Sequence, residues 1–179
     1  MSRNILTGLV GAWCPSLGPS GYTLLDRSGR GQHGTLTNMD AGSDWVGSPG
    51  GWTLDFDGSN DYVSLPSISI ANELTISCWF YARSTGQGML FNKQTTNAAF
   101  NLFVFGSALN VRGGGTTAVT TGVSSSTLYH AVATIKGTVG TIYLNGTQAA
   151  TGSVDAISNT TGVCEIGDRK STRLNSSHT

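Results

Sequence analysis

The segment Asp57-Gly58-Ser59-Asn60-Asp61 places two carboxylates and an amide side by side. Side-chain oxygens of this kind are what a hard cation such as Ca2+ prefers. The same residues also make Asx turns, in which the side chains bond their own backbone. Other reactive groups are sparse. The two glutamates, Glu73 and Glu165, lie far apart in the chain. Asp55 and Asp57 sit two apart, so an extended strand puts them on one face. No serine, histidine and carboxylate form a recognisable hydrolytic set, and His33 and His130 read as structural. Cys14, Cys78 and Cys164 are odd in number and widely separated. Metal sites use close cysteine pairs, so these read as buried small hydrophobes.

The elements that must position these groups are strands. Charged residues make up 11% of the 179, apolar residues 38%, and glycine occurs 25 times. Low charge with many β-branched residues indicates one folded all-β domain, not a disordered chain. Ten basic and ten acidic residues balance to a formal charge of zero. No basic face suggests nucleic acid, and no apolar run is long enough to insert in a membrane. The first 17 residues carry only Arg3 as a positive charge and are broken by Gly8, Gly11 and Pro15, a poor signal peptide.

Alternation marks the strands one by one. Leu54 and Phe56 precede the acidic turn, and Tyr62 and Val63 follow it, which predicts two strands joined by a tight connection. In Leu74 to Ala82, Leu74, Ile76, Cys78 and Phe80 share one face and Thr75, Ser77, Trp79 and Tyr81 the other. Further strands are predicted at 8–13, 89–91, 100–105, 109–111, 128–135, 141–144 and from 164. Asn145-Gly146 is the strongest hairpin signal, since both residues tolerate positive φ. Asp40 to Gly51 reads as a Gly/Ser/Pro loop carrying Trp45. The run Asp26-Arg27-Ser28-Gly29-Arg30-Gly31-Gln32-His33-Gly34-Thr35-Leu36 reads as a sharply turning loop. No Gly-Lys-Ser/Thr follows it to open a helix, so a phosphate cradle is a weak reading.

Four of these segments, in order, resemble one family. Gly8 to Trp13 resembles its opening strand "G-L-V-A-x-W", and Asp26 to Leu36 its "D-x-S-G-x-G-x-H-G-T-L" loop. Phe56 to Val63 resembles "F-D-G-x-x-D-Y-V", and Leu128 to Gly146 the "W-H-H-V-A…L-Y-V-N-G" block. The family is that of laminin G-like jelly-roll domains, in the concanavalin A-like lectin/glucanase superfamily. The resemblance implies an all-β, two-sheet antiparallel jelly-roll sandwich over residues 1–167. Relatives continue with "G-x-I-D-E-V-R-I-Y-N-R-A-L", which is absent here. The domain is therefore expected to lack its closing strand, to expose an apolar edge at Leu9, Val10 and Trp13, and to aggregate when expressed alone. Residues 168–179 break the pattern. Asp168 to His178 resembles an in-frame translation of a short-read sequencing adapter, which would make 168–179 an unstructured artefact of environmental DNA. Without that tail the formal charge is −2, from seven basic and nine acidic residues.

The resemblance also implies function. Glucanase relatives carry paired carboxylates as "E-x-D-x-x-E", and neither glutamate here lies in such a pattern, so no catalysis is expected. Laminin G-like modules often hold calcium, which makes Asp26, Asp57, Asn60 and Asp61 the expected ligands of a structural Ca2+. Lectin-like relatives bind sugars on aromatic platforms, and Trp45, Trp52, Tyr62, Trp79 and Tyr81 are the candidates. Burial is expected for most of them, and loop-borne Trp45 is the one expected to be exposed and ligand-binding. The expected role is a non-catalytic module binding a glycan or a surface protein. The setting would be extracellular or a virion surface, as in a phage tail-associated protein. A purely structural interaction domain is the alternative.

Overall fold

A computed structural model describes residues 8–70, 72–83, 87–93, 100–157 and 162–167. The artefact assignment for 168–179 lies outside the described residues. The strands, in chain order, are β1 (Thr23–Leu24), β2 (Gly34–Thr37), β3 (Trp45–Ser48), β4 (Gly51–Leu54), β5 (Tyr62–Leu65), β6 (Glu73–Ala82) and β7 (Gly88–Lys93). They continue as β8 (Phe100–Phe105), β9 (Ala108–Arg112), β10 (Ala118–Gly122), β11 (Thr127–Lys136), β12 (Val139–Leu144), β13 (Thr147–Ser153) and β14 (Cys164–Ile166). One helical turn, Pro15–Leu17, completes the described elements.

All strand pairings are antiparallel; apart from a separate β3–β4 hairpin they fall into two main sheets. An eight-stranded sheet runs β1-β2-β5-β14-β7-β8-β9-β10, and a four-stranded sheet runs β13-β12-β11-β6. Their inner faces close over one core, in which Phe100, Leu102, Leu109, Val111, Ala131, Ala133, Ile135 and Ile142 are all buried. This is the jelly-roll sandwich that the family resemblance implied. The sheets approach closely at Gly140, where an added Cβ would sit 3.3 Å from Val119 Cγ2 on β10 and 3.4 Å from Val111 Cγ1 on β9. The Asn145-Gly146 hairpin forms as expected, with φ of 50° and 84° joining β12 to β13.

Three expectations need correction. Residues 8–13 form no strand; their one ladder contact is the isolated Trp13–Asp26 bridge. Their backbone is instead tied to the glycine-rich loop, with Arg27 N–H donating to the Ala12 carbonyl at 2.7 Å. Second, Leu54 and Tyr62 do not flank a hairpin. β4 pairs with β3, so that Trp45 faces Leu54, while β5 enters the large sheet between β2 and β14. The acidic turn is thus a crossover between sheets, and the expected 40–51 loop contains half of the β3–β4 hairpin. Third, Cys14 is exposed, although Cys164 is buried and Cys78 is partly buried; all three are free thiols.

Candidate functional site

Asp26 serves its own loop. Its Oδ1 accepts the amides of Ala12 (2.9 Å) and Ser28 (2.8 Å), and its Oδ2 accepts Ser28 Oγ–H (2.7 Å) and Gln32 N–H (2.9 Å). Burial opposes its ionisation, but these bonds outweigh it and hold the pKa at about 2. Asp26 N–H donates to His33 Nδ1 at 3.0 Å, which gives that histidine its structural role. These four bonds use the acceptor directions of the Asp26 carboxylate within the loop and its neighbouring segment.

The acidic turn is organised the same way. Asp57 Oδ1 accepts Ser59 N–H (2.7 Å) and Asn60 N–H (3.3 Å), an Asx turn, and Asp61 Oδ2 accepts Asp57 N–H at 3.0 Å. Asn60 contributes its carbonyl to the Asn38 side chain. Asp61 is 3% exposed. Burial pushes its pKa up, the Asp57 amide opposes this, and the charges of Asp57, Asp44 and Asp55 add to the rise. Among the described residues no three histidine, cysteine or carboxylate side chains are placed to hold a metal ion. Asp57 Oδ1 and Asp61 Oδ2 are engaged by the turn's own backbone amides.

The aromatics exchange their expected places. Trp45 is 5% exposed and its Nε1–H donates to the Gly21 carbonyl at 2.9 Å. Its residue type wins over its loop setting, because the β3–β4 hairpin folds the indole onto the core. Trp79 is 69% exposed and Tyr81 55%. They lie on the outer face of β6, because Leu74, Ile76, Cys78 and Phe80 take the inner one. Burial of Cys78 pushes its thiol to about 12, as its inward position requires.

These outward residues make a platform. Across β6 and β11, Trp79 is opposite His130 and Tyr81 opposite Leu128, itself 56% exposed. The Trp79 and His130 rings lie 4.9 Å apart at 32°. Ser77 Oγ meets His130 Nε2 at 2.9 Å, and the His130 amide donates to Asn145 Oδ1 at 3.0 Å. The hairpin asparagine, read from sequence as a turn former, therefore also pins the histidine strand. An exposed indole and phenol beside fixed hydroxyl and imidazole groups can stack on a sugar ring and bond its hydroxyls.

The two glutamates stand on opposite sheets. Glu73, on β6, pairs with Lys136 at 3.5 Å, and Glu165, on β14, accepts from Asn92 in the large sheet. They cannot flank one glycosidic bond. The outer face of the large sheet also carries Asn92, Asn101 and Arg112, which the sequence reading did not single out. The signal available was the alternation Phe100, Leu102, Val104 against Asn101, Phe103, Phe105.

A family model described as the concanavalin A-like lectin/glucanases superfamily, of laminin G type, matches residues 57–177. No curated protein sequence matches the chain. Among solved structures, domain 4 of an extracellular arabinanase from Geobacillus stearothermophilus, in complex with arabinotriose, superposes with TM-score 0.63 and 15% identity, covering 83% of this chain and 82% of that one. Mouse laminin alpha1 chain domains LG4-5 match with TM-score 0.54 and 15% identity, over 62% of this chain and 32% of theirs. A Trypanosoma rangeli sialidase matches with TM-score 0.62 and 18% identity, over 92% of this chain and 28% of its own. The chain thus spans about a third of the laminin and sialidase structures. At these identities the likeness establishes the fold, which binding proteins and glycoside-cleaving enzymes share.

Proposed function

Because the chain belongs to the concanavalin A-like lectin/glucanases superfamily, we propose that it is a non-catalytic recognition module for a glycan, bound on the outer face of the four-stranded sheet. The exposed Trp79 carries this reading. An indole 69% exposed, stacked on a histidine that a serine holds, costs solubility unless it meets a partner. Support comes from the arabinanase domain, whose structure holds arabinotriose. The separation of Glu73 and Glu165 speaks against retaining or inverting hydrolysis by those residues.

A protein surface is the second reading, favoured by Leu128 and Tyr81, which extend the patch with apolar area. A glycan array probed with the whole chain separates the two. Binding to a defined glycan class that Trp79→Ala abolishes, with the melting temperature unchanged, supports glycan recognition. Silence across the array removes it and leaves the protein surface.

A further inference from the structure

β6 is the longest open edge among the described residues. It ends the four-stranded sheet and pairs with β11 alone, in one unbroken register over its ten residues. The other sheet ends are β1 with two residues, β10 with five and β13 with seven, and the β12–β13 register is broken between Ile142 and Tyr143. Short or bulged edges resist further pairing, whereas a long regular one is a template for another strand.

Two observations show what this edge offers. The first is its backbone. Gly137 N–H donates to the Asn72 carbonyl at 3.0 Å and Ser126 N–H to the Ala82 carbonyl at 2.7 Å, so the even-numbered residues of β6 bond towards β11. Successive residues of a strand turn their N–H and C=O groups to opposite sides. Those of Glu73, Thr75, Ser77, Trp79 and Tyr81 therefore point to the free side. His130 agrees: it lies opposite Trp79 but gives its N–H to Asn145 Oδ1 and its carbonyl to the Asn145 amide, away from β6. The second observation is apolar cover. On the inner face Ala131, Ala133 and Ile135 of β11 are at most 1% exposed, while Cys78, Ile76 and Leu74 opposite them are only partly buried. A strand added beside β6 satisfies the free backbone groups and covers these side chains.

We propose that this edge pairs with the β6 edge of a second copy of the chain, antiparallel about a two-fold axis at Cys78. This register sets Thr75 against Tyr81, and Ser77 against Trp79, of the second copy. All four have free backbone groups, so each opposed pair exchanges both its bonds. Charge selects the register, because it also sets Glu73 against Arg83 of the second copy at both ends. Within one copy Glu73 pairs with Lys136 and Arg83 with Asp55, so the signs alternate from Lys136 through Glu73 to Arg83 and Asp55 of the second copy. An axis at Ser77 would set Glu73 against Tyr81 and bring it no opposite charge. On the inner face Ile76 meets Phe80, and the two Cys78 side chains meet each other. On the outer face the two Trp79 residues become diagonal neighbours, with Cα atoms about 7–8 Å apart. The two aromatic platforms then form one. The pairing stands on the edge alone, whichever partner the platform meets.

The test is sedimentation velocity of the whole chain over a concentration series. It should show monomer and dimer and nothing larger, since a two-fold interface closes on itself. Thr75→Pro removes an N–H on the free side, where an edge strand tolerates proline. That variant should stay monomeric and keep a melting temperature close to that of the parent chain. Ile76→Pro removes an N–H that bonds β11 and should lower the melting temperature sharply. Glu73→Lys and Arg83→Glu should each weaken dimerisation about tenfold, as two surface ion pairs turned repulsive predict. An equimolar mixture of those two variants should recover the dimer, because each then meets the opposite charge. Monomer at every concentration, open-ended association, dimerisation unchanged in Thr75→Pro, or a mixture no tighter than either charge variant alone overturns the proposal. Equal melting temperatures for the two proline variants would remove the assignment of sides and overturn it as well.

Discussion

Trp79 on β6 faces His130 on β11 with their rings 4.9 Å apart, and Ser77, two residues earlier on β6, holds the same imidazole. The contact is made on the solvent side of the sandwich. It turns three small local choices into one fixed, outward aromatic surface. The buried Trp45, by contrast, is committed to the core through its bond to Gly21.

The two tryptophans should therefore separate stability from recognition. Trp45→Ala removes a buried indole and its hydrogen bond and should cost about 3–5 kcal/mol. Trp79→Ala removes exposed area and should change stability by less than about 1 kcal/mol. Urea unfolding of both variants measures the difference. A Trp79→Ala loss as large as that of Trp45→Ala would show that the platform is structural.

Asp26 should make the fold acid-sensitive. Its folded pKa of about 2 lies below the ordinary 3.8, so the stabilisation is complete above that value and is lost as pH falls towards 2. Asp26→Asn keeps the size but loses the acceptors for several bonds, and should cost roughly 2–4 kcal/mol at neutral pH. The gap between wild type and variant should shrink at pH 2. Thermal melts across the acid range read both effects.

Asp61 has the opposite sign. Its folded pKa is raised, so its protonated form favours the fold below the ordinary value, and that gain is lost as pH rises through the folded pKa. Asp61→Asn retains an oxygen for the Asp57 amide and relieves the repulsion from Asp57, Asp44 and Asp55. It should raise Tm at pH 7 and not at pH 3. A lowered Tm at pH 7 would mean that the carboxylate itself is needed.

Calcium provides a direct check on the acidic turn. Because Asp57 and Asp61 each bond the turn's own backbone, millimolar calcium should leave Tm where it is. A rise that Asp57→Ala removes would establish the cation reading of Asp57, Asn60 and Asp61.

β6 runs ten residues and, among the described residues, pairs with β11 alone. It carries no proline or lysine to discourage a second chain, and its outer face shows Trp79 and Tyr81. The chain should self-associate in solution, and Thr75→Lys should reduce that association. Light scattering of the two proteins at equal concentration decides it.

Much of the fold could be read locally. The Asn145-Gly146 turn, the alternation in β6 and β11, and the loop that Asp26 ties are properties of neighbouring residues. Backbone sterics and side-chain period act over a few positions, so the sequence determined these elements, the jelly-roll class and the lack of a paired-glutamate motif. Partner choice between strands acts over long separations. β4 chose β3 over β5, Trp45 went inward with it, and Trp79 went outward because Phe80 and Cys78 filled the space between the sheets. A strand with apolar residues on both faces leaves its orientation to whichever set packs better. On the large sheet the row Thr35, Ser64, Glu165, Asn92, Asn101, Arg112 is assembled from six segments spread from Thr35 to Glu165. No local period links those positions, so only the closing of the eight-stranded sheet could bring them into line.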